Sequence, residues 1–323
     1  MNSTRLCTLL ALVAIAGAPI SAHAGQGRRA HGHRASAAPA SSCNRRCLLQ
    51  VLTDYTEALT DNDVLKLAVA PTIRVTSNGT VTTLGKGEVW GAGRRLPYRQ
   101  AYVDPITGAA VFYGAVTNAI TPARPGARVD TSGAPTKWWF YVVRLKILGR
   151  QITEVEEVSY ERPAGGFGMD ASALTLPDRI FDTVLPLPER SSRSELFEIA
   201  DKYFDAVSQK LNYRQVPWHP ECQRIELGVF TVNAERSPGS CGGEFQIPSV
   251  KWNVSNRRAY IADVERGLVL AIGNFMTPPE YPNNNGSVVF ELFKVQDGLI
   301  RQIHAFFRGN GQLHSGWGEG PGS

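Results

Sequence analysis

An internal repeat constrains the fold of this chain more than any other feature. The stretch Val216–Gly228, V-P-W-H-P-E-C-Q-R-I-E-L-G, has a weaker copy in Val69–Gly79, V-A-P-T-I-R-V-T-S-N-G. The turn Asp104–Gly108 likewise matches the turn Asp263–Gly267, and the offset between matched positions stays between 148 and 159 residues. The sequence therefore predicts two copies of one structural unit.

The N-terminus has the features of a cleaved export signal. Arg5 supplies a positive charge, Leu6–Ile20 is an apolar run too short to span a bilayer comfortably, and Ala22–Ala24 is an A-x-A cleavage site. We expect a signal peptide over residues 1–24, a flexible leader over 25–42 and a secreted or periplasmic product without a membrane span. Much of the net charge of +5 lies in the leader and the residues just after it, so no nucleic-acid partner is expected.

Four cysteines remain after the signal peptide, namely Cys43, Cys47, Cys222 and Cys241. An even number is typical of disulfides in an oxidising compartment, and three pairings are open. Pairing Cys222 with Cys241 would close a local loop. Cys43 and Cys47 would then staple the start of the first helix, with Cys43 just outside it. No C-x-x-C or histidine cluster accompanies these cysteines, so no metal site is expected.

Each half begins with a helix of apolar period 3.6 and continues with strands of apolar period 2. The helices are predicted at Cys47–Leu59 and Glu195–Val207, the second capped by Ser194 or, a turn earlier, by Ser191 or Ser192. The strands are predicted at Thr72–Thr76, Val81–Leu84, Tyr98–Val103, Ala109–Thr117, Lys137–Ile147, Gln151–Tyr160, Gln223–Thr231, Arg258–Ala262, Leu268–Phe275, Ser287–Val295 and Leu299–Phe307.

The pattern of elements predicts an α+β protein with two tandem domains. The domains cover residues 43–162 and 191–309, with a linker at 163–190, where prolines and glycines are dense, and a C-terminal tail at 310–323. The two domains are expected to pack on each other as an internal pseudo-dimer.

A helix, a short second helix and a curved antiparallel sheet resemble the nuclear transport factor 2-like (NTF2-like), or SnoaL-like, cone fold. The segments K-V-Q-D-G-L-I-R-Q-I-H-A-F and K-I-L-G-R-Q-I-T-E-V-E resemble its last hairpin. The whole mature chain is more closely similar to a family of exported proteins of unknown function with two such domains. The similarity includes a C-x3-C-L start at Cys43, a D-P-x-x-G turn at Asp104, the V-P-x-H-P-x-C-x-R-I-E stretch and an E-R-G-L segment at Glu265.

The resemblance implies an apolar cavity between sheet and helices, a half-open cup. Enzymes of that superfamily place a few Asp, Glu, His or Tyr groups in the cup and usually need no cofactor, so none is expected here. The family's T-E-N-G turn reads Thr76–Gly79, T-S-N-G, in this chain. Ser77 therefore replaces an acid in the first domain, whereas Glu226 keeps it in the second, and the first domain is expected to be mainly structural.

Three residues are candidates for acid–base chemistry: Glu226, His219 and His304. Glu226 lies on a strand expected to line the cup, although a carboxylate there also suits an ion pair with Arg224, Arg257 or Arg258. His219 lies between Trp218 and Pro220 and is either a proton shuttle or a packed loop histidine. The face that carries His304 is either the cavity or the outside of the sheet. Asp104 and Asp263 are expected to cap their turns.

The chain is rich in aromatic residues, and a strand sends only half of its side chains inward. These rings either pack in the core or contact an apolar or aromatic ligand, and core packing is the more general role of aromatic side chains. The candidate ligand contacts in the second domain are Trp218, Trp252, Tyr260 and Phe275.

Two functions follow from the sequence. The first is a cofactor-independent lyase, isomerase or hydrolase that acts on a small apolar or aromatic molecule in the second cup. In it Glu226 is the base, and His219 or His304 polarises or protonates the leaving group. The second is a non-catalytic ligand-binding or protein-interaction protein of the same fold, because this fold serves both roles. The nucleotide-binding, nucleophile-elbow and H-E-x-x-H motifs are absent.

Overall fold

A computed structural model describes residues 43–119, 137–161, 171, 174, 179–232, 241–242, 252–276 and 286–309. The predicted signal peptide 1–24, the leader 25–42, the tail 310–323 and a large part of the predicted linker lie outside these residues. Within the described parts, no helix is long and apolar enough to cross a membrane.

The first half consists of one helix and a six-stranded sheet. Its elements are α1 (Arg45–Asp61), a 3₁₀ turn (Val64–Lys66), β1 (Val69–Ser77), β2 (Thr80–Thr82), β3 (Arg95–Asp104), β4 (Ala109–Thr117), β5 (Trp138–Leu148) and β6 (Gln151–Glu161). The strand order is β2-β1-β6-β5-β4-β3. Strands β3 to β6 form an antiparallel meander, which returns to lie beside β1.

The second half repeats this arrangement element by element. Its elements are α2 (Arg193–Val207), a 3₁₀ turn (Tyr213–Gln215), β7 (Trp218–Glu226), β8 (Val229–Val232), β9 (Asn253–Asp263), β10 (Leu268–Met276), β11 (Gly286–Gln296) and β12 (Leu299–Gly309). The order β8-β7-β12-β11-β10-β9 is that of the first sheet. The predicted fold class, α+β with two helix-on-curved-sheet units, is confirmed.

Two details of the predicted sheets are wrong. Both sheets are mixed instead of antiparallel, because the meander ends on a strand that runs in the same direction as β1 or β7. The single strand expected at Gln223–Thr231 is a hairpin that turns at Leu227 and Gly228, with φ of 43° and 82°. Its two-residue turn is equivalent to the predicted Asn78–Gly79 turn, but Leu-Gly lacks the Asn that signals such turns.

Local side-chain chemistry fixes where each helix begins. Asn44 caps α1, which leaves Cys43 outside the helix and within reach of Cys47, at a Cα–Cα distance of 5.2 Å. Cys222 pairs with Cys241, so of the three pairings that the sequence left open, the structure contains Cys43–Cys47 with Cys222–Cys241. The cap of α2 is Ser192, one of the two predicted alternatives to Ser194.

The capping box of α2 explains that choice. The hydroxyl of Ser192 accepts from the backbone N–H of Glu195, and the Glu195 carboxylate accepts from the backbone N–H of Ser192. This reciprocal arrangement satisfies two of the free N–H groups at the helix start. Ser194 lies two positions too late to satisfy them.

Apolar packing occurs in three clusters. Each helix packs its apolar stripe on the inner face of its own sheet, which gives one cluster per half. The third cluster joins the outer faces of the two sheets and contains Phe140 and Tyr113 from one half and Phe290 and Phe306 from the other. Phe181, within the predicted linker, is fully buried in this third cluster, so this part of the linker packs on the two sheets.

Equivalent ion pairs also join the two halves. Arg45, the first residue of α1, contacts Asp263 in the second half at 2.6 Å, and Arg193, the first residue of α2, contacts Asp104 in the first half at 2.6 Å. Both aspartates also cap their own turns, as predicted. In both pairs the first residue of one half's helix contacts the turn aspartate of the other half. Such reciprocal contacts between equivalent residues are typical of a two-fold interface.

Candidate active site

The face of each sheet on which its helix packs is called the cup of that half, and one row of paired positions crosses this face. In the second half the row reads Glu226 on β7, Ala305 on β12 and Glu291 on β11. Because paired residues of a sheet point to the same face, the two glutamates flank Ala305 on one surface. Two strand spacings separate their backbones by about 10 Å.

The first carboxylate of the second cup is paired with an arginine on its own strand. Arg224 is fully buried, and its Nε lies 3.3 Å from Oε1 of Glu226 and donates to the hydroxyl of Thr231. Arg224 and Glu226 are two positions apart, so both side chains leave β7 on the inner face. Glu226 keeps 24% of its side chain exposed, which puts this carboxylate in contact with solvent.

The second carboxylate of this cup is buried. Glu291 retains only 2% exposure, and its Oε1 accepts a hydrogen bond of 3.0 Å from the hydroxyl of Tyr203 on α2. Tyr203 packs edge-on against Phe293 and Trp218, with ring centroids 4.9 and 6.0 Å apart. The second cup thus combines two carboxylates, one guanidinium and one phenol over a floor that contains Ala305.

The first cup places its acid at a different point of the same row. The row here reads Ser77 on β1, Glu157 on β6 and Val143 on β5. Oε2 of Glu157 accepts hydrogen bonds from the hydroxyl groups of Tyr141 at 2.7 Å and Tyr55 at 3.2 Å, and the indole N–H of Trp90 is a third donor at 3.3 Å. Tyr55 is the equivalent of Tyr203, so in both halves the helix tyrosine donates to the carboxylate of its cup.

Burial dominates the electrostatics of the first cup. Removal from water raises the pKa of Glu157, and the hydrogen bonds from Tyr141, Ser77, Tyr55 and Trp90 offset part of this effect. Burial and the nearby Glu157 carboxylate also raise the pKa of Tyr55 and of Tyr141 well above 10. Both phenols therefore stay protonated at neutral pH and act as donors.

The structure does not bring Glu226 together with His219, so this predicted pair is wrong. Both residues lie on β7, seven positions apart, which corresponds to about 20 Å along a strand. Nδ1 of His219 accepts from the backbone N–H of Glu221 at 3.0 Å and lies 2.9 Å from the guanidinium of Arg301. Arg301 in turn pairs with Glu221, so His219 belongs to a network at the start of β7.

The predicted pair of Glu226 with His304 is also wrong. Glu226 pairs with Ala305, the residue after His304, so the two side chains leave opposite faces of the sheet. His304 lies on the outer face and is fully buried between the two halves, where it packs on Tyr113 with ring centroids 4.3 Å apart. Burial lowers the pKa of His304 to about 3. Of the two faces left open for His304, the outside of the sheet is the correct one.

Three of the four predicted ligand contacts have side chains that the structure describes. Trp218, Trp252 and Phe275 are partly buried and pack against the cluster under α2. The side chain of Tyr260 lies outside the described residues. Arg257 and Arg258, the other predicted partners of Glu226, pair with Asp205 on α2 and with Glu156 in the first half.

Sequence reasoning missed Glu291, Glu157 and Tyr203 as site residues. Glu291 stands alone in the apolar run V-V-F-E-L-F, where a charged residue on a buried strand needs a partner. Glu157 lies in V-E-E-V, next to a position that pairs with arginine. The matched positions of Tyr55 and Tyr203 in the repeat were the available signal. In the described part of the chain, no three His, Cys, Asp or Glu side chains are grouped to hold a metal ion.

Comparisons with known proteins give one family model and several solved structures of low similarity. Residues 189–307 match the family model described as Domain of unknown function (DUF8021). No curated protein matches the chain. Solved structures with similarity to 36% of the chain include a Mycobacterium tuberculosis LEH-like epoxide hydrolase, with 17% identity, 84% of that chain covered and a TM-score of 0.30.

Two further solved structures align with the same share of the chain, 36%. A protein of unknown function with a cystatin-like fold from Methylobium petroleophilum is 16% identical, with 78% of it covered and a TM-score of 0.29. An NTF2-like protein from Cytophaga hutchinsonii is 14% identical, with 98% of it covered and a TM-score of 0.27.

Proposed function

We propose that the chain is an exported, cofactor-independent acid–base enzyme whose reaction takes place in the second cup. Its substrate is a small apolar or aromatic molecule, because aromatic side chains surround the cup and only a few polar groups enter it. Among the lyase, isomerase and hydrolase reactions that such a cup suits, the two carboxylates favour addition of water. The observation that carries this proposal is the row of Glu226, Ala305 and Glu291.

The spacing of this row suits a base and an acid on two sides of a substrate. Carboxyl groups that are roughly 6.5–9.5 Å apart leave room for a water molecule, as in hydrolases that invert their substrate. Glu226 and Glu291 lie two strand spacings apart, and the residue between them, Ala305, has the smallest side chain of the row. The pair therefore replaces the glutamate–histidine pairs expected from the sequence.

Exposure assigns the two roles. Glu226 reaches solvent, so a water molecule can approach it and the proton that it accepts can leave to bulk water. Glu291 is buried and held by Tyr203, which orients its carboxyl group toward the interior, where it protonates the leaving oxygen. Arg224 holds Glu226 in place and supplies positive charge close to the developing anion.

A labelled-water assay tests this proposal. Purified protein from Gly25 onward is incubated in H₂¹⁸O with a panel of aromatic and terpenoid esters, epoxides and enol ethers, and products are analysed by mass spectrometry. A hydrolase incorporates the label into product. We expect Glu226→Gln and Glu291→Gln each to reduce the rate by roughly 10²–10⁴-fold, the usual effect of removing an acid or base.

The matched control is Glu221→Gln, which removes a glutamate from the same strand but from its exposed part. It should retain wild-type activity. Turnover that survives in both Glu226→Gln and Glu291→Gln would refute the assignment of these residues. Product without the label would point to a lyase or isomerase and would refute the hydrolytic reaction.

A non-catalytic ligand-binding or interaction protein is the second candidate. The ion pair of Glu226 with Arg224 favours it, because this pair already satisfies one oxygen of the proposed base. A ligand that raises the melting temperature of wild type and of Glu226→Gln equally, without turnover, would support this function. Trp218, Trp252 and Phe275 are then the expected contacts, with Tyr260 as a further one.

The domain division at residues 43–162 and 191–309 and the internal pseudo-dimer are part of the same proposal. The equivalent ion pairs Arg45–Asp263 and Arg193–Asp104 support the pseudo-dimer. Export to the periplasm or the cell exterior is supported by the two disulfides. N-terminal sequencing of the secreted product should give a start near Gly25.

A further inference from the structure

The two disulfides of this chain differ in how easily a molecule in solution can reach them. Both residues of the second bond are buried, with Cys222 1% and Cys241 0% exposed. In the first bond Cys43 is also buried, but Cys47, in the first turn of α1, is only partly buried. A thiol cleaves a disulfide by attacking a sulfur that it can reach, so Cys47 is the most accessible point of attack among these four cysteines.

A guanidinium group lies beside the sulfur of Cys47. Nη1 of Arg150 donates to Sγ of Cys47 at a distance of 3.6 Å. Arg150 is exposed and is the second residue of the two-residue turn between β5 and β6. A positive charge at this distance stabilises the thiolate that Cys47 becomes when the bond is cleaved, and the dipole of α1 acts in the same direction.

The backbone at Arg150 indicates that its side chain has a role. Arg150 has a φ of 69°, in the region that favours glycine. The equivalent turn between β11 and β12 has Gly298 at this position, with a φ of 73°. The second half also has no cysteine at the start of its helix. The arginine and the disulfide are thus present together in one half and absent together from the other, and the arginine keeps a strained conformation beside the sulfur.

The first disulfide also closes a much shorter loop than the second. Cys43 and Cys47 are 4 positions apart, whereas Cys222 and Cys241 are 19 positions apart. A shorter loop removes less conformational entropy from the unfolded chain, so the first bond contributes less to folding than the second. By the same linkage, the folded structure protects the first bond less against reduction.

We propose that the Cys43–Cys47 bond is a site of thiol–disulfide exchange with a small thiol from solution, whereas the Cys222–Cys241 bond is purely structural. The thiolate of the small molecule attacks Sγ of Cys47, forms a mixed disulfide and displaces Cys43 as a thiolate, which takes up a proton. A second small thiolate attacks the added sulfur, which yields the disulfide of the small thiol and leaves Cys47 as a thiolate beside Arg150. Two small thiols are oxidised and one protein disulfide is reduced. This site is independent of the reaction proposed for the second cup.

A redox titration with glutathione tests this proposal. The chain from Gly25 onward is equilibrated at defined ratios of reduced to oxidised glutathione, free thiols are trapped with N-ethylmaleimide, and tryptic peptides are analysed by mass spectrometry. Trypsin cleaves after Arg45 and Arg46, so it separates Cys43 from Cys47. The first bond should be half reduced at a ratio at least about tenfold lower than the second, which corresponds to about 30 mV. The glutathione adduct should be on Cys47.

The contribution of the guanidinium is tested separately. Arg150→Gln should raise the ratio at which the first bond is half reduced by about threefold, the effect of one exposed charge, and should leave the second bond unchanged. The matched control is Arg95→Gln, which removes the same charge from the exposed start of β3 and should change neither bond. Reduction of both bonds at one ratio, an adduct on Cys43 instead of Cys47, or equal midpoints in wild type and Arg150→Gln would overturn the proposal.

Discussion

Replacement of His304 by phenylalanine should reduce the loss of unfolding free energy that this protein shows when the pH is lowered. His304 is fully buried between the halves, its two ring nitrogens have no hydrogen-bond partner within the described residues, and burial lowers its pKa to about 3. In the unfolded chain its pKa returns to about 6.5. The unfolded state therefore binds a proton between pH 6.5 and 3 that the folded state does not.

The sign and size of the effect follow from this difference. The free energy of unfolding is not reduced by His304 above pH 6.5. Below that pH it falls by about 1.4 kcal/mol per pH unit, because the unfolded state binds a proton that the folded state does not. The loss between pH 7.5 and 4.5 is on the order of 2.7 kcal/mol, because only the last two units lie below the unfolded pKa. A phenylalanine fits the same ring contacts with Tyr113 and Phe181 and does not titrate.

The assay is urea unfolding of wild type and His304→Phe at pH 7.5, 5.5 and 4.5. At pH 7.5 the free energies of unfolding should differ by less than about 1 kcal/mol, since no hydrogen bond is lost. The free energy of unfolding of the variant minus that of wild type should rise by roughly 2.7 kcal/mol between pH 7.5 and pH 4.5. The rise in the pKa of Glu157 affects both proteins equally and cancels in the comparison. Parallel pH profiles of wild type and His304→Phe would refute the buried, neutral histidine.

Two other predictions concern contacts that hold the fold together. Glu156→Gln should destabilise the protein by about 3–5 kcal/mol in urea unfolding, because it leaves the fully buried Arg258 without its counter-charge. The control Glu154→Gln, at a partly exposed position of the same strand, should cost about 1 kcal/mol or less. Equal losses in the two variants would contradict this account. Replacing Cys222 and Cys241 by alanine should cost about 3 kcal/mol, the entropy of a loop of this length, and unchanged thermal stability would show that the bond contributes nothing.

The sequence predicted the architecture well because the architecture depends on periodicity and on repetition. The apolar stripe of α1 and the strand Ala109–Thr117 are visible as patterns in the sequence, and the repeat allowed each half to support the interpretation of the other. The turn at Leu227–Gly228 was missed because Leu takes a positive φ there, at 43°, against its intrinsic preference. Tertiary packing imposes that conformation, and no local signal announces it.

The candidate site was predicted only in part, because the sequence does not give the register in which β7 pairs with β12. Glu226 was identified from a motif, but its partner depends on which residue of β12 lies beside it. A slip of one position along β12 would have put His304 on the inner face in place of Ala305. Periodicity gives the alternation of faces but not which face is inner, so the two outcomes for His304 could not be separated from the sequence. The pairing of β7 with β12 decides between them.

The row across each sheet has a consequence for how this chain can diversify. An internal repeat provides the same three positions twice, and they carry Ser77, Glu157 and Val143 in one half and Glu226, Ala305 and Glu291 in the other. The strands that carry these positions have the same order and direction in both sheets. The glutamates therefore lie on different strands of the two halves although the backbone fold is the same. One half can therefore change the side chains of its row while the other keeps its own, within a single polypeptide.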